Sequence, residues 1–328
     1  MNKPESPSLV IVIPCYNEEE VLPETVKCLS QKLDSLVSGA LVSESSALLF
    51  VDDGSSDNTW NLIEKYHREN PQVFKGIKLS KNFGQQNAIL CGLLAVKGFA
   101  DVAISIDADL QNDLGAVDKM LMSFLSGAEI VFGVHSGRES DSILRRISAR
   151  CFYRFTRFLG IKLVDNHAHF RLMGKAALNA LNEYEETKLF LPGIASLLGF
   201  KTDIVHCKVK KRSVGKSKYN LRELFELTLK CITSFSVKPL RFITGMGAFL
   251  LVISIALSIW FFVNYVSGCA VTPFAVLLCS IWGIGGLIVL SIGIVGEYIG
   301  NIYAETKRRP RYHIEKCLFT PEPENESK

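Results

Sequence analysis

The stretch VAISIDADLQ, Val102 to Gln111, runs from a short apolar segment directly into two aspartates one residue apart. A β-branched run of this kind reads as a strand, and polar residues at its carboxyl end mark the rim where parallel sheets bind ligands. Two carboxylates so placed, Asp107 and Asp109, can share a hard divalent cation that bridges two phosphates. Taken alone the pair is weak evidence, because the same spacing also occurs as an ordinary loop cap.

Its weight comes from the neighbouring segments. LVIVIP (Leu9 to Pro14), ALLFVD (Ala47 to Asp52), VFKGIKL (Val73 to Leu79) and EIVFGV (Glu129 to Val134) are further apolar runs, separated by stretches of helical character. Strands alternating with helices predict an α/β domain with a parallel sheet covered on both faces. Polar residues again collect after the strands: Asn17 and Glu18, Asp52 and Asp53, and Asn82. In VDDGSSDNT (Val51 to Thr59), capping of the next helix accounts for Ser55 and Asp57. It does not account for the paired Asp52 and Asp53, which can accept hydrogen bonds from a base or a ribose. PCYNEEE (Pro14 to Glu20) falls on the same rim, although a strand end and helix start would also explain it.

The second half differs. With 48% hydrophobic residues and a mean hydropathy of +0.21, the chain is more apolar than a purely soluble protein. The excess is concentrated in Phe242 to Gly296, 55 residues without Asp, Glu, Lys, Arg or His. Since about 20 apolar residues cross a bilayer, this predicts two membrane helices joined near Ser267 to Pro273. Lys238 and Arg241 precede the stretch, and Lys307, Arg308, Arg309 and Arg311 follow it. Cations at both ends predict that both ends are cytoplasmic. ILRRISARCFYRFTRFLGI (Ile143 to Ile161) has the pattern of a basic amphipathic helix suited to a membrane surface, and Asn220 to Ser236 is a second candidate; either could instead pack on the sheet.

Several classes are excluded. A net charge of +4 is too small for a nucleic-acid partner, and its placement suits anionic lipid head groups. Nine scattered cysteines without CxxC pairs predict reduced thiols. The amino terminus lacks a signal-peptide layout, so the first 230 or so residues are expected not to be exported. Gly215 to Ser217 is no P-loop, because Lys210 stands where that motif needs glycine. No GxGxxG follows the first strand, against NAD. The HxH of His167 and His169 lacks the further ligands of a zinc site.

The motifs PCYNEEE, VDDGSSDNT and DADLQ, in this order and with KNFGQQNA (Lys81 to Ala88) between them, resemble the GT-A fold of the family 2 glycosyltransferases, a Rossmann-like and mainly parallel sheet. HFRLM (His169 to Met173), KRSVGKSKY (Lys211 to Tyr219) and ITSFSVKPLR (Ile232 to Arg241), followed by two membrane helices, resemble the polyprenyl-phosphate glycosyltransferases. Among these are bactoprenol glucosyltransferases of the GtrB type and, more distantly, dolichol-phosphate mannose synthases. The resemblance runs from about Leu9 to Arg311.

It implies a catalytic domain over residues 1–219, an amphipathic juxtamembrane helix over 220–239, two transmembrane helices over 240–303 and a basic tail over 304–328. Pro14, Tyr16, Glu18, Asp52, Asp53 and Asn82 would hold the nucleotide; Asp107, Asp109 and Gln111 would hold Mg²⁺ or Mn²⁺ and the diphosphate. Arg138, Arg145, Arg171, Arg212 and Lys218 would meet the lipid phosphate, with Asp107, Asp109, Arg212 and Lys218 closest to the chemistry. The loop from Lys208 to Lys218, with six cations, is a natural phosphate clamp on its own reading, although a solvated hairpin would look similar. The implied reaction is inverting transfer of one sugar, first glucose from UDP-glucose, then N-acetylglucosamine from its UDP donor or mannose from GDP-mannose. The acceptor is undecaprenyl or another polyprenyl phosphate at the cytoplasmic face of the plasma membrane. Self-association is compatible with the sequence.

Two positions depart from the family pattern. His169 stands where relatives usually carry an acid, and Lys230 and Cys231 stand where they carry Asp-Gly before the SFS segment. The first puts a base at that position in doubt without excluding transfer, because a phosphate monoester is largely dianionic at neutral pH. Two other readings remain. A processive polysaccharide synthase would carry QxxRW, and Trp60, Trp260 and Trp282 lie outside such a context. An inactive membrane scaffold is opposed by the intact Asp52, Asp107 and Asp109.

Overall fold

The computed structural model describes residues 3–110, 113–135, 167–184, 186, 191–207, 249, 259 and 273–320. The chain divides into two units, one of residues 1–154, 162–218 and 309–328, the other of 155–161 and 219–308. The first contains the expected α/β domain. Its strands are β1 (Leu9–Cys15), β2 (Ala47–Asp52), β3 (Phe74–Leu79), β4 (Val102–Ser105), β5 (Ile130–His135), β6 (His167–Gly174), β7 (Thr202–Cys207) and β8 (Ile314–Cys317). They form one sheet in the order β7-β5-β6-β4-β1-β2-β3-β8.

The centre is parallel: β1 lies between β2 and β4, and β3 extends it. Every residue of β1 and β2 is buried, as strands covered on both faces must be, which explains why they are apolar throughout instead of alternating. The helices are α1 (Leu22–Ser38), α2 (Thr59–Glu69), α3 (Gln85–Val96), α4 (Gly115–Leu125), α5 (Lys175–Asn182) and α6 (Leu191–Leu197). Helix α3 packs closest. A side chain on its Gly92 would come within 2.3 Å of Val12 Cγ1 and 3.0 Å of Val51 Cγ2. The absence of that side chain lets α3 lie directly on β1 and β2, with its amino terminus at their carboxyl ends.

Two features depart from a simple alternating reading. The HFRLM segment belongs to β6, which runs antiparallel between β4 and β5. Beyond the apolar stretch, the tail returns as β8 and pairs antiparallel with β3. Cys15, Cys28, Cys91, Cys207 and Cys317, the cysteines whose side chains are described, form no disulfide.

In the second unit, α7 (Pro273–Thr306) is a helix of 34 residues. It exposes Leu277, Ile281, Ile284, Ile288, Ile292 and Ile299 at helical spacing. Several of its other side chains fall outside the described set; over the described residues, no helix is long and apolar enough to cross a membrane. The first expected membrane helix and both amphipathic candidates also lie outside the described residues, apart from Phe249 and Ile259.

Candidate active site at the carboxyl ends of the strands

The loops after β1 and β2 are joined to each other by hydrogen bonds. Asn17, at φ 53°, donates its amide to Ser55 Oγ at 2.9 Å, and its Oδ1 accepts from the amide of Ser56 at 2.9 Å. The Glu18 amide donates to Thr59 Oγ1 at 2.9 Å, and Glu19 Oε2 accepts the Asn58 amide at 2.9 Å. Asp57 Oδ1 accepts from the Thr59 amide at 3.0 Å, at the start of α2 as expected, whereas Ser55 serves as a bridge to the other loop. These four hydrogen bonds between the loops fix the rim before any ligand arrives. Pro14 lies buried within β1, Tyr16 is 44% exposed beyond it, and Asn82 is exposed.

Asp52 and Asp53 play different parts. Asp52 is fully buried; its Oδ1 accepts from the Ser55 amide at 3.2 Å, while Oδ2 has no hydrogen-bond partner. Burial raises its pKa, opposed by the Ser55 hydrogen bonds and Lys78. A buried acceptor left without a donor is costly, and a ligand N–H or O–H would satisfy it. Asp53 is occupied instead. Its oxygens accept from the amides of Phe83 at 2.7 Å and Gly84 at 2.9 Å, and burial raises its pKa against those two bonds. Gly54 lies at φ +67°, and a Cβ there would meet the Lys81 carbonyl carbon at 2.3 Å. That position requires glycine both for its backbone angle and for the approach of the Lys81 to Gly84 loop.

The same loop reaches the acids after β4. Gln85 Nε2 donates to Asp107 Oδ1 at 2.7 Å. Asp107 and Asp109 are half-buried, and the carbonyl between them, on Ala108, accepts from Thr25 Oγ1 of α1. Leu110 follows at φ 50°, turning the chain away. Arg171, expected at the lipid phosphate, sits on β6 with no exposure, in register with Ser105 and Phe132. Burial holds its pKa down at about 10, with Asp107 pulling the other way, so the guanidinium stays charged at neutral pH. None of its three guanidinium nitrogens has a hydrogen-bond partner. A buried charge in that state calls for a nearby anion.

Among the described residues no group of three or more His, Cys, Asp and Glu side chains could hold a metal. The Asp107 and Asp109 pair nonetheless suits Mg²⁺ or Mn²⁺. Such ions take one or two carboxylates and complete their shell with water and substrate phosphate. Gln111, Arg138, Arg145, Arg212 and Lys218 lie outside the described residues, as do the side chains of His167 and His169. The loop from Lys81 to Gln85 is the part of the site that sequence reasoning undervalued. Its motif was visible, but its hold on Asp53 runs through backbone amides, which leave little trace in residue type, and only its contact with Asp107 uses a side chain, that of Gln85.

Comparison with known proteins agrees with this geometry. Residues 10–181 match the model of glycosyl transferase family 2, and residues 238–302 match the GtrB C-terminal hairpin. The chain is 45% identical to the uncharacterized glycosyltransferase YkoT of Bacillus subtilis (strain 168), over 97% of this chain and 94% of that one. It is 35% identical to a bactoprenol glucosyl transferase of Shigella phage SfX, over 93% and 97% of the two chains. A prophage bactoprenol glucosyl transferase homolog of Escherichia coli (strain K12) is 34% identical, over 93% and 98%.

Proposed function

The chain belongs to the family 2 glycosyltransferases and carries the GtrB C-terminal hairpin, and we propose that it transfers one hexose from a nucleotide diphosphate to a polyprenyl phosphate. The observation that carries this reading is the buried, partnerless Asp52 Oδ2 on the same rim as Asp107 and Asp109. It is an acceptor awaiting a base or ribose donor, within a frame that also presents carboxylates for a metal-bound diphosphate. Similarity over nearly the whole chain to bactoprenol glucosyl transferases supports a polyprenyl phosphate acceptor and glucose as the first sugar.

In this reading Pro14, Tyr16, Glu18, Asp52 and Asn82 receive the nucleotide. Asp53 holds the Phe83 to Gly84 turn against them. Asp107 and Asp109, with Gln111, would hold Mg²⁺ or Mn²⁺, which when bound neutralises charge on the leaving diphosphate. Gln85 keeps Asp107 oriented. Arg138, Arg145, Arg171, Arg212 and Lys218 hold the lipid phosphate. One phosphate oxygen attacks the anomeric carbon as the bond to the diphosphate breaks, the configuration inverts, and the nucleoside diphosphate leaves with the electron pair. The acceptor arrives mostly as a dianion, so the step needs no base in place of His169.

Membrane attachment rests on the uncharged 242–296 stretch, the match to the hairpin family and the exposed apolar stripe of α7. Topology has its own support. The chain leaves the sheet-bearing unit after residue 218 and rejoins it from residue 309, with β8 in the sheet. Any membrane crossings between these points must be even in number. Two crossings place residues 1–219 and the tail on one side, the cytoplasmic side by the flanking cations.

Equilibrium binding of UDP-glucose, UDP-N-acetylglucosamine and GDP-mannose in the presence of Mn²⁺ tests the donor half. UDP-glucose is expected to bind, and Asp52→Ala to abolish its binding. No binding of any of the three, or binding that survives Asp52→Ala, would contradict the assignment.

A further inference from the structure

The segment after α7 is fastened to β3 along its length. Glu315 pairs with Lys78 at 3.1 Å, and Lys316 with Glu64 at 3.4 Å. Phe319 meets the Phe99 ring edge-on at 5.9 Å, and the Lys75 ammonium lies 5.5 and 5.6 Å from the two rings. Exposed ion pairs contribute little, so the strand ladder and this aromatic contact do most of the holding. At the other end of the strand, the tail reaches the loop of the site. The Ser80 amide donates to the His313 carbonyl at 3.0 Å, and the His313 ring lies tilted against the Phe83 ring with centroids 6.2 Å apart. Lys81 Nζ sits 5.2 Å from the centre of the same Phe83 ring.

Phe83 is the residue whose amide meets Asp53, and two residues on Gln85 meets Asp107. We propose that His313 is a positioning residue for the sugar-nucleotide site: its ring and carbonyl hold Phe83 and Ser80, and through them the turn that sets Asp53 and Gln85. The inference rests on the reading that the strand-end acids receive the donor. It makes the tail beyond the hairpin a working part of the donor site, although 230 positions separate His313 from Phe83 in sequence. His313 is exposed, so its replacement leaves the core untouched.

The test compares full-length wild type, His313→Ala and His313→Phe by amide hydrogen exchange across residues 80–86 without nucleotide, and by UDP affinity in Mn²⁺. His313→Ala should speed exchange in this loop and weaken UDP binding about three- to ten-fold, the scale of one aromatic contact, with no change in melting temperature. His313→Phe, which keeps a ring, should restore both. Unchanged loop exchange in His313→Ala, or failure of His313→Phe to restore it, overturns the proposal. A loosened loop in a protein whose wild type binds no UDP supports the positioning role and instead overturns the donor assignment.

Discussion

Gln85 Nε2 lies 2.7 Å from Asp107 Oδ1, and this one hydrogen bond joins the loop that holds Asp53 to the acid pair that follows β4. On the proposed reading, the acids that receive the nucleotide and those that face the diphosphate are thereby parts of one framework. Gln85 is exposed and at the start of α3, so replacing it removes the tie without opening a cavity. Gln85→Ala should lower kcat/KM roughly ten-fold, the lower end for a hydrogen bond to a charged group, with an unchanged melting temperature. Steady-state kinetics beside a thermal melt checks this. Unchanged kcat/KM would mean the two acid pairs are held independently.

Asp52 offers a test in which stability and function move in opposite directions. Burial raises its folded pKa, so above the ordinary carboxylate value of 3.8 the native state retains the proton longer than the unfolded chain does. With more protons bound by the native state, stability falls as pH rises through the interval from that value to the raised one. Asp52→Asn removes this penalty. Its melting temperature relative to wild type should rise across that interval and level off above it, while nucleotide binding is lost. A relative melting temperature that falls with pH would show that the carboxylate is stabilised by contacts stronger than those described.

In the proposed function Arg212 is the main contact of the lipid phosphate. A guanidinium that can bind two phosphate oxygens at once suits a lipid phosphate better than the neighbouring ammonium groups do. Arg212→Ala should lower the specificity constant for polyprenyl phosphate about ten- to a hundred-fold and leave donor affinity nearly unchanged. Kinetics with each substrate varied in turn decides it. A collapse of donor affinity with unchanged acceptor dependence would assign the loop to the nucleotide.

The parallel centre of the sheet and the acids on its rim were legible because both are written in residue type, in apolar runs such as ALLFVD and VAISID that end in Asp. The antiparallel insertion of β6 and the return of β8 were not. HFRLM and IEKC are short, and their pairing is set by distant backbone partners that no local pattern encodes. The division of labour between Asp52 and Asp53 was hidden for a related reason. Identical neighbouring side chains diverge only because the Phe83 and Gly84 amides come to meet one of them.

Sugar transfer itself is measured by incubating the purified full-length protein with UDP-glucose and undecaprenyl phosphate in Mn²⁺ and identifying the lipid product by mass and anomeric configuration. A single glucose should be added with inverted configuration, and no product should form with EDTA or with Asp109→Ala, a protein that should remain folded because the pair would stabilise charge and not the core. Near-full turnover in EDTA, retained configuration, or no lipid-linked sugar from any of the three donors would contradict it.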